Sequence, residues 1–461
     1  MNQPQTSLNT QYSRVRRDIF VATLEAMFQN TGLLFVAFFA HAILGIALKV
    51  SGSSFDNLYI FGVFGVGLFF ALSRHIPLKY TLYIVAYIAG AEVLFRMTNS
   101  GAFWSGASFA TIALCIIAVL VRKQMKAPPI GLLLYIACLL PSLVLTISIS
   151  DRSRDLISSY FAVPAALICL GMFMNNLNLS RTELRDTLLM IALPVAGIAG
   201  IIFTNLETLE LTWTQQSNNQ VAGFGANQVS TALGLGAFAL FVVGLYLANG
   251  SLIRWGAFAI AIIYIILAFY TFARGGIFNT ALALLILIGH NLIRGKNRLA
   301  NLALVSIAII ILVIIFPRLD ETTNDQLTAR YTDLDTTGRS ELAIEDIKLF
   351  LEEPLTGVGL GLSPQQRPRM NGFRVAPHTE YTRMLAEHGI LGLFAIFALF
   401  GVAVQNYLKQ TTHQARGIAA SFIVWAAFYL THSAMRTVAP AFMLGITCAQ
   451  LSTDDDAADA N

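Results

Sequence analysis

The chain has 461 residues, 56% hydrophobic and only 12% charged, with a formal net charge of +4. About a quarter of the residues in a soluble globular domain are charged, so this composition excludes one; the small net charge points to no nucleic-acid partner. What remains is an all-α polytopic membrane protein. Each span needs about 20 apolar residues to cross roughly 30 Å of hydrocarbon, and a helix satisfies its own backbone there. A β-barrel would alternate apolar and polar residues, and this chain does not.

Residues 1–30 read as a basic cytoplasmic tail, because Met1 to Phe20 is polar and has no apolar core of the kind a cleaved signal peptide needs. An N-terminal bundle over 31–204 follows, with spans near 31–50, 57–73, 78–96, 104–121, 129–148, 157–175 and 187–204. Further spans lie near 228–248, 254–272, 276–291, 299–316, 389–405, 415–431 and 437–451. The expectation is about 12–14 transmembrane helices, the last two within 406–451, and an acidic cytoplasmic tail over 452–461. Arg14, Arg16 and Arg17, then Arg122, Lys123 and Lys126, then Arg294, Lys296 and Arg298 fall on one side of this alternation. That bias makes their side cytoplasmic and puts both termini there. The four cysteines, Cys115, Cys138, Cys169 and Cys448, sit inside spans without disulfide or metal-site spacing.

Two segments break the rhythm of short loops, and both fall on the side away from the cytoplasm. One runs from about Asn205 to Asn227; the other, Pro317 to His388 between the eleventh and twelfth spans, has 72 residues and 12 of the chain's 26 acidic ones. Within the second, "RSELAIEDIKLFLEE" spaces Ala343, Ile347, Phe350 and Leu351 as an amphipathic helix that Pro354 ends. "PLTGVGLGL" then places Gly357, Gly359 and Gly361 at alternate positions, which is no Walker loop and reads as a tight turn close to other backbone.

"VAPHTEYTRMLAEHGILGLFAIFALF" closes the loop and enters a span. Pro377 suits the first turn of a helix, which would put His378 at a helix N-terminus, where the positive dipole end favours the neutral ring of a general base. The spacing His378-Thr379, nine residues, Gly389-Ile390-Leu391-Gly392 resembles the signature of the O-antigen ligase and O-antigen polymerase superfamily, with Thr379 where an amide or serine is usual. Three elements upstream resemble the same family in the same order. "GFGANQVSTALGL" supplies Asn227, preceded by Gln220 where many members have an arginine; "TFARGGIFN" supplies Arg274, with Ala273 in place of a serine; "TTGRSELAIEDIKLFLEEPLTGVGLGL" supplies Arg339. The resemblance covers roughly residues 219–405, within a catalytic region taken as 205–405.

That resemblance implies a bacterial inner-membrane glycosyltransferase. The donor would be a glycan on undecaprenyl diphosphate, and the acceptor hydroxyl would belong to the lipid A core or to a second lipid-linked glycan, on the periplasmic side. His378 would be the base, and Arg274 and Arg339 would hold the diphosphate, since guanidinium matches phosphate oxygens bidentately. Asn227, Thr379, Glu380, Arg383 and Glu387 are candidate supporting residues. Inversion, no metal and no cofactor are expected. Read alone, Arg274 could equally be an anchor snorkelling to headgroups, and Glu380 and Arg383 could simply pair, three residues apart on one helix face. Glu92 lies inside a span, four residues before a possible partner, Arg96. His388, His432 and Arg436 share the outer side with the site and nothing more. Ligase is the favoured reading, polymerase the alternative within the family; a lipid-linked glycan flippase is the alternative from another class.

Overall fold

The protein was described from a computed structural model covering residues 21–23, 25–98, 104–123, 126–206, 220–292, 298–333, 338–368 and 375–452. The basic stretch 1–20 and the acidic stretch 453–461 lie outside the described residues. Helices follow one another in the order that apolar run length dictates: α1 (Thr31–Ser51), α2 (Ser53–Leu72), α3 (Leu78–Met97), α4 (Gly106–Arg122), α5 (Ile130–Ile149), α6 (Ser153–Tyr160), α7 (Ala162–Met174) and α8 (Arg181–Thr204). Polar caps start two of them. The Asn30 side chain accepts from the Gly32 and Leu33 amides at α1, and Ser180 with Glu183 forms a reciprocal capping box at α8.

The second half holds α9 (Ala226–Val242), which runs on as a π-helical turn over Val243–Leu247, then α10 (Ser251–Tyr270), α11 (Arg274–Leu292) and α12 (Arg298–Ile310). The long loop contains α13 (Phe316–Thr322), α14 (Gln326–Thr332), α15 (Arg339–Glu352) and α16 (Ser363–Gln366); α17 (Glu380–Lys409), α18 (His413–His432) and α19 (Val438–Gly445) complete the chain. The all-α polytopic architecture is therefore as expected. Among the described residues nine helices are long and apolar enough to span alone, and α6 with α7, bent by 42°, can make a tenth. The expected spans at 104–121 and 437–451 correspond to shorter apolar helices.

Burial sorts the bundle into layers. The apolar windows of α3, α8 and α9 are 94%, 89% and 100% buried, whereas those of α1, α2 and α5 are below a third. The first set is the core; the second shows its apolar faces to lipid, with Phe39, Leu58 and Val144 among the exposed residues. Close approach of an outer helix to the core depends on small residues: Gly45 of α1 meets the Gly197 backbone of α8.

Three local expectations change. Helix α17 starts nine residues before the expected span, with Thr379 as its N-cap, so Pro377 and His378 precede the helix and are not in its first turn. The helix is broken at Gly389, whose φ of +60° suits glycine alone. On α15 the buried stripe is Leu342, Asp346 and Leu349, while Ile347 and Leu351 face outward. Pairing with a buried arginine, described below, outweighed hydrophobicity in choosing that face.

Candidate active site

The turn between α10 and α11 carries Arg274. Phe272 there has φ +53°, a costly conformation for an aromatic residue, and two polar contacts brace it: Arg330 Nε donates to the Phe272 carbonyl at 3.1 Å, and the Ala273 amide donates to Thr271 Oγ at 3.2 Å. Arg274 opens α11 and its guanidinium donates to the Asp333 backbone carbonyl, tying α11 to the end of α14. The two glycines after it are a packing requirement. A Cβ on Gly275 would lie 2.8 Å from Asn227 Oδ1 and 2.9 Å from His432 Nδ1, and one on Gly276 would strike the Ser230 backbone of α9.

Four segments therefore meet at one end of the bundle. Asn227 at the start of α9, Arg274 at the start of α11, Arg339 at the start of α15 and His432 at the end of α18 surround the approach to His378. Arg274 and Arg339 lower the affinity of Arg330 for its proton, after burial, and Arg274 does the same to Arg339. Three guanidiniums thus crowd one another, and among the described residues the Arg339 side chain has no hydrogen-bond or carboxylate partner. Such a cluster is a seat for a polyanion.

His378 is half-buried, and among the described residues its ring makes no hydrogen bond. Burial, followed by Arg339, Arg436 and Arg367, holds its pKa at about 4, so the ring is neutral at physiological pH. The neutral state expected from a helix dipole is present for a different reason, desolvation and neighbouring cations. His432 was seen in the sequence only as sharing this side. Asn279 Oδ1 accepts from its Nε2 at 3.0 Å, and Nδ1 is buried without a partner beside Asn227 Oδ1, which is also unpartnered.

Behind His378 lies a lattice of buried ions. Arg383 donates from Nε to Glu380 at 2.8 Å and from Nη1 to Glu387 at 2.6 Å; Glu387 also accepts from Ser363 Oγ at 2.9 Å, and Glu380 from the Met435 amide at 2.9 Å. Asp346 of α15 sits 3.4 Å from Arg367 and accepts from Thr382 Oγ at 3.0 Å, while Arg367 Nη2 donates to the Val375 carbonyl at 3.0 Å. Burial, opposed by Arg367, raises the Asp346 carboxyl to about 6. These contacts fix the helix bearing Arg339, the segment leading to His378 and the α18–α19 turn relative to α17.

The glycine segment completes that frame as a turn against other backbone. The Val358 and Gly359 amides donate to the Ala386 and Glu387 carbonyls at 2.9 and 3.2 Å, and the Ile390 amide to Pro354 at 2.8 Å, around the break at Gly389. Gly357, Gly359 and Gly361 all have positive φ, and a Cβ on Gly357 would hit the Glu387–His388 backbone. His388 Nδ1 meets Ser142 Oγ on α5.

Of the residues singled out in the sequence, His378, Arg274, Arg339 and Asn227 come together; Arg274 is tied to the Asp333 carbonyl, and Asn227 Oδ1 is buried without a partner. Glu380, Arg383 and Glu387 belong to the buried lattice, and Thr379 caps α17 without a side-chain hydrogen bond. Glu92 pairs with Arg96 at 2.5 Å and accepts from the Val438 amide at 2.6 Å, a structural role. Among the described residues no three His, Cys, Asp or Glu side chains converge as a metal set. Below Glu380, between α17, α18 and α19, lies an apolar cavity of about 430 Å³ lined by Tyr135, Met384, Ile396, Phe400, Ala427 and Leu430 among others.

Residues 259–397 match the family model described as O-antigen ligase. No curated protein matches the chain.

Proposed function

We propose that the chain, whose residues 259–397 match the O-antigen ligase family, is an inner-membrane glycosyltransferase of that superfamily. It transfers a glycan from undecaprenyl diphosphate to an acceptor hydroxyl on the periplasmic side, as the O-antigen ligase of lipopolysaccharide assembly. The observation that carries this reading is the combination at one end of the bundle: a neutral, unbonded imidazole next to crowded guanidiniums. An imidazole alone would suit many tasks. Beside a cluster of cations it suits an attack whose leaving group is a polyanion.

In this scheme the acceptor O–H gives its proton to His378 as the oxygen attacks the anomeric carbon. The bond from that carbon to the diphosphate oxygen breaks with its electron pair leaving on the diphosphate, so direct displacement inverts the centre. Arg274 and Arg339, with Arg330 beside them, stabilise the charge that develops there. Because the cations are arginines, the scheme needs no metal, and transfer should persist in excess chelator. A pKa near 4 makes a weak base in the empty protein. A bound diphosphate places negative charge among the arginines and raises it, so the base strengthens when the donor is in place. Glu380, two residues from His378, lines the apolar cavity, which suits an isoprenoid chain whose headgroup lies near the base.

The test is reconstitution of the purified protein in liposomes that carry lipid-linked glycan on the outer side. A transferase consumes that donor and releases undecaprenyl diphosphate when the acceptor is added. A flippase moves the donor and leaves it intact, and that result would overturn the reading. A phosphorylated lipid A core and a second lipid-linked glycan, offered in turn, separate ligase from polymerase.

A further inference from the structure

The turn over 433–437, between α18 and α19, is held by two buried carboxylates. Glu380 accepts from the Met435 amide at 2.9 Å on one side, Glu92 from the Val438 amide at 2.6 Å on the other, and Arg96 donates to the Arg436 carbonyl at 2.9 Å. Both carboxylates also bind another arginine, Arg383 and Arg96 respectively, so neither is directed at the Arg436 side chain. That guanidinium lies over the Tyr160 ring at 5.9 Å. It is half-buried, and among the described residues it has no hydrogen-bond or carboxylate partner.

Its position follows from the same anchors. Glu380 is two residues beyond His378, so the Met435 contact sets Arg436 at the edge of the base, against Tyr160 at the end of α6. His432, four residues earlier, lies against Gly275 next to Arg274. Four residues reach at most about 14 Å, and Arg339 and Arg436 both act on the His378 ring, so two cationic positions border it within the span of one active site. A single diphosphate is a few ångströms across, roughly the size of a bidentate guanidinium contact, and the crowded arginines around Arg274 provide for it. Arg436 remains without counter-charge although its backbone is rigidly fixed, which is the state of a site awaiting an anion.

We propose that Arg436 is a second anion-binding position, which takes a phosphate group carried by the acceptor. The inference rests on the transferase reading above. Two acceptors supply that chemistry: a phosphorylated core glycolipid, and a second glycan still on its lipid diphosphate. With donor phosphate at Arg274 and Arg339 and acceptor phosphate at Arg436, the two substrates converge on His378.

The experiment is two-substrate steady-state kinetics of the full-length protein in lipid discs, with each acceptor supplied intact and after phosphate removal. Arg436→Gln should raise KM for the intact acceptor roughly 10–100-fold, the worth of a hydrogen bond to a charged group, and leave donor KM within about twofold. Arg436→Lys should recover part of the loss, because it keeps the charge without the bidentate fork. With the dephosphorylated acceptor, wild type and Arg436→Gln should behave alike. The acceptor that shows the effect identifies the source of the phosphate. Equal loss with the dephosphorylated acceptor, or a matching rise in donor KM, would overturn the proposal. If Arg436→Gln does not fold, inhibition of the wild type by glycerol phosphate decides: competition with the acceptor supports the site, and competition with the donor alone removes it. A wild-type protein that transfers to no acceptor would instead sink the transferase reading itself.

Discussion

Two groups of charges, drawn from several segments, meet around the start of α17, and they are treated in opposite ways. In the lattice of Glu380, Arg383, Glu387, Asp346 and Arg367, each charge is buried against an opposite one and also hydrogen-bonded. Around His378 the ring and the guanidiniums of Arg339 and Arg436 have no such partners among the described residues, and the cations press on one another. Burying a charge costs several kcal/mol unless it is paired, so the first arrangement is what a stable fold requires. The second costs stability, and a ligand that brings negative charge offsets that cost. Paired charges shape this site, and unpaired ones are available for chemistry.

The largest expected effect falls on the unpaired side. His378→Ala should lower turnover by roughly 10²–10⁴-fold, the usual contribution of a positioned base, and leave the thermal midpoint unchanged, since the ring bonds to nothing described. Near wild-type transfer by the folded variant would make His378 an anchor. On the paired side the outcome reverses. Arg383→Ala strands two buried carboxylates and should cost about 3–5 kcal/mol of stability, read as a fall in denaturation midpoint or in folded yield. A folded Arg383→Ala protein of normal stability that fails to turn over would move Arg383 into the catalytic group and dissolve the contrast.

A subtler change joins the two regions. Arg339 helps to depress the His378 pKa, so the ring of the free enzyme charges only as pH falls through about 4, and activity is lost there. Removing a neighbouring cation raises that pKa. Arg339→Gln should therefore shift the acid limb of the kcat/KM profile to higher pH, in addition to weakening donor binding. An unmoved limb would mean that Arg339 does not face the base. The smallest effect belongs to Lys348 and Glu345, a 2.6 Å pair on the exposed face of α15 with the lysine 59% exposed. Lys348→Ala should change stability by about 0.5 kcal/mol or less and transfer not at all.

Much of the fold was legible because the bilayer leaves one solution for an apolar run of that length, and most expected spans fall on a helix long and apolar enough to cross. Where runs were short or interrupted, as at 104–121 and across α6 and α7, the pattern gave a helix without settling how it crosses. His378, Arg274, Arg339 and Asn227 were singled out by the resemblance of their motifs to the family's, and the structure gathers them. The Glu380–Arg383 pair could be read from three-residue helical spacing. Asp346 with Arg367, and Ser363 with Glu387, could not, because each joins elements that only tertiary packing brings together. His432 and Arg436 gave a fainter signal, a histidine and an arginine four residues apart closing an otherwise apolar helix, and Arg330 gave none. Pro377 misled because a proline just ahead of a helix can stand before the cap as well as after it.

Donor binding measured side by side in two variants tests the central claim most directly. Purified His378→Ala and Arg339→Ala would each be titrated with undecaprenyl diphosphate, and binding compared with wild type at equal folded fraction. The account predicts that His378→Ala binds as wild type does, and that Arg339→Ala binds roughly 10–100-fold more weakly, the loss of a charge-assisted contact. Weak binding by His378→Ala together with normal binding by Arg339→Ala would contradict it.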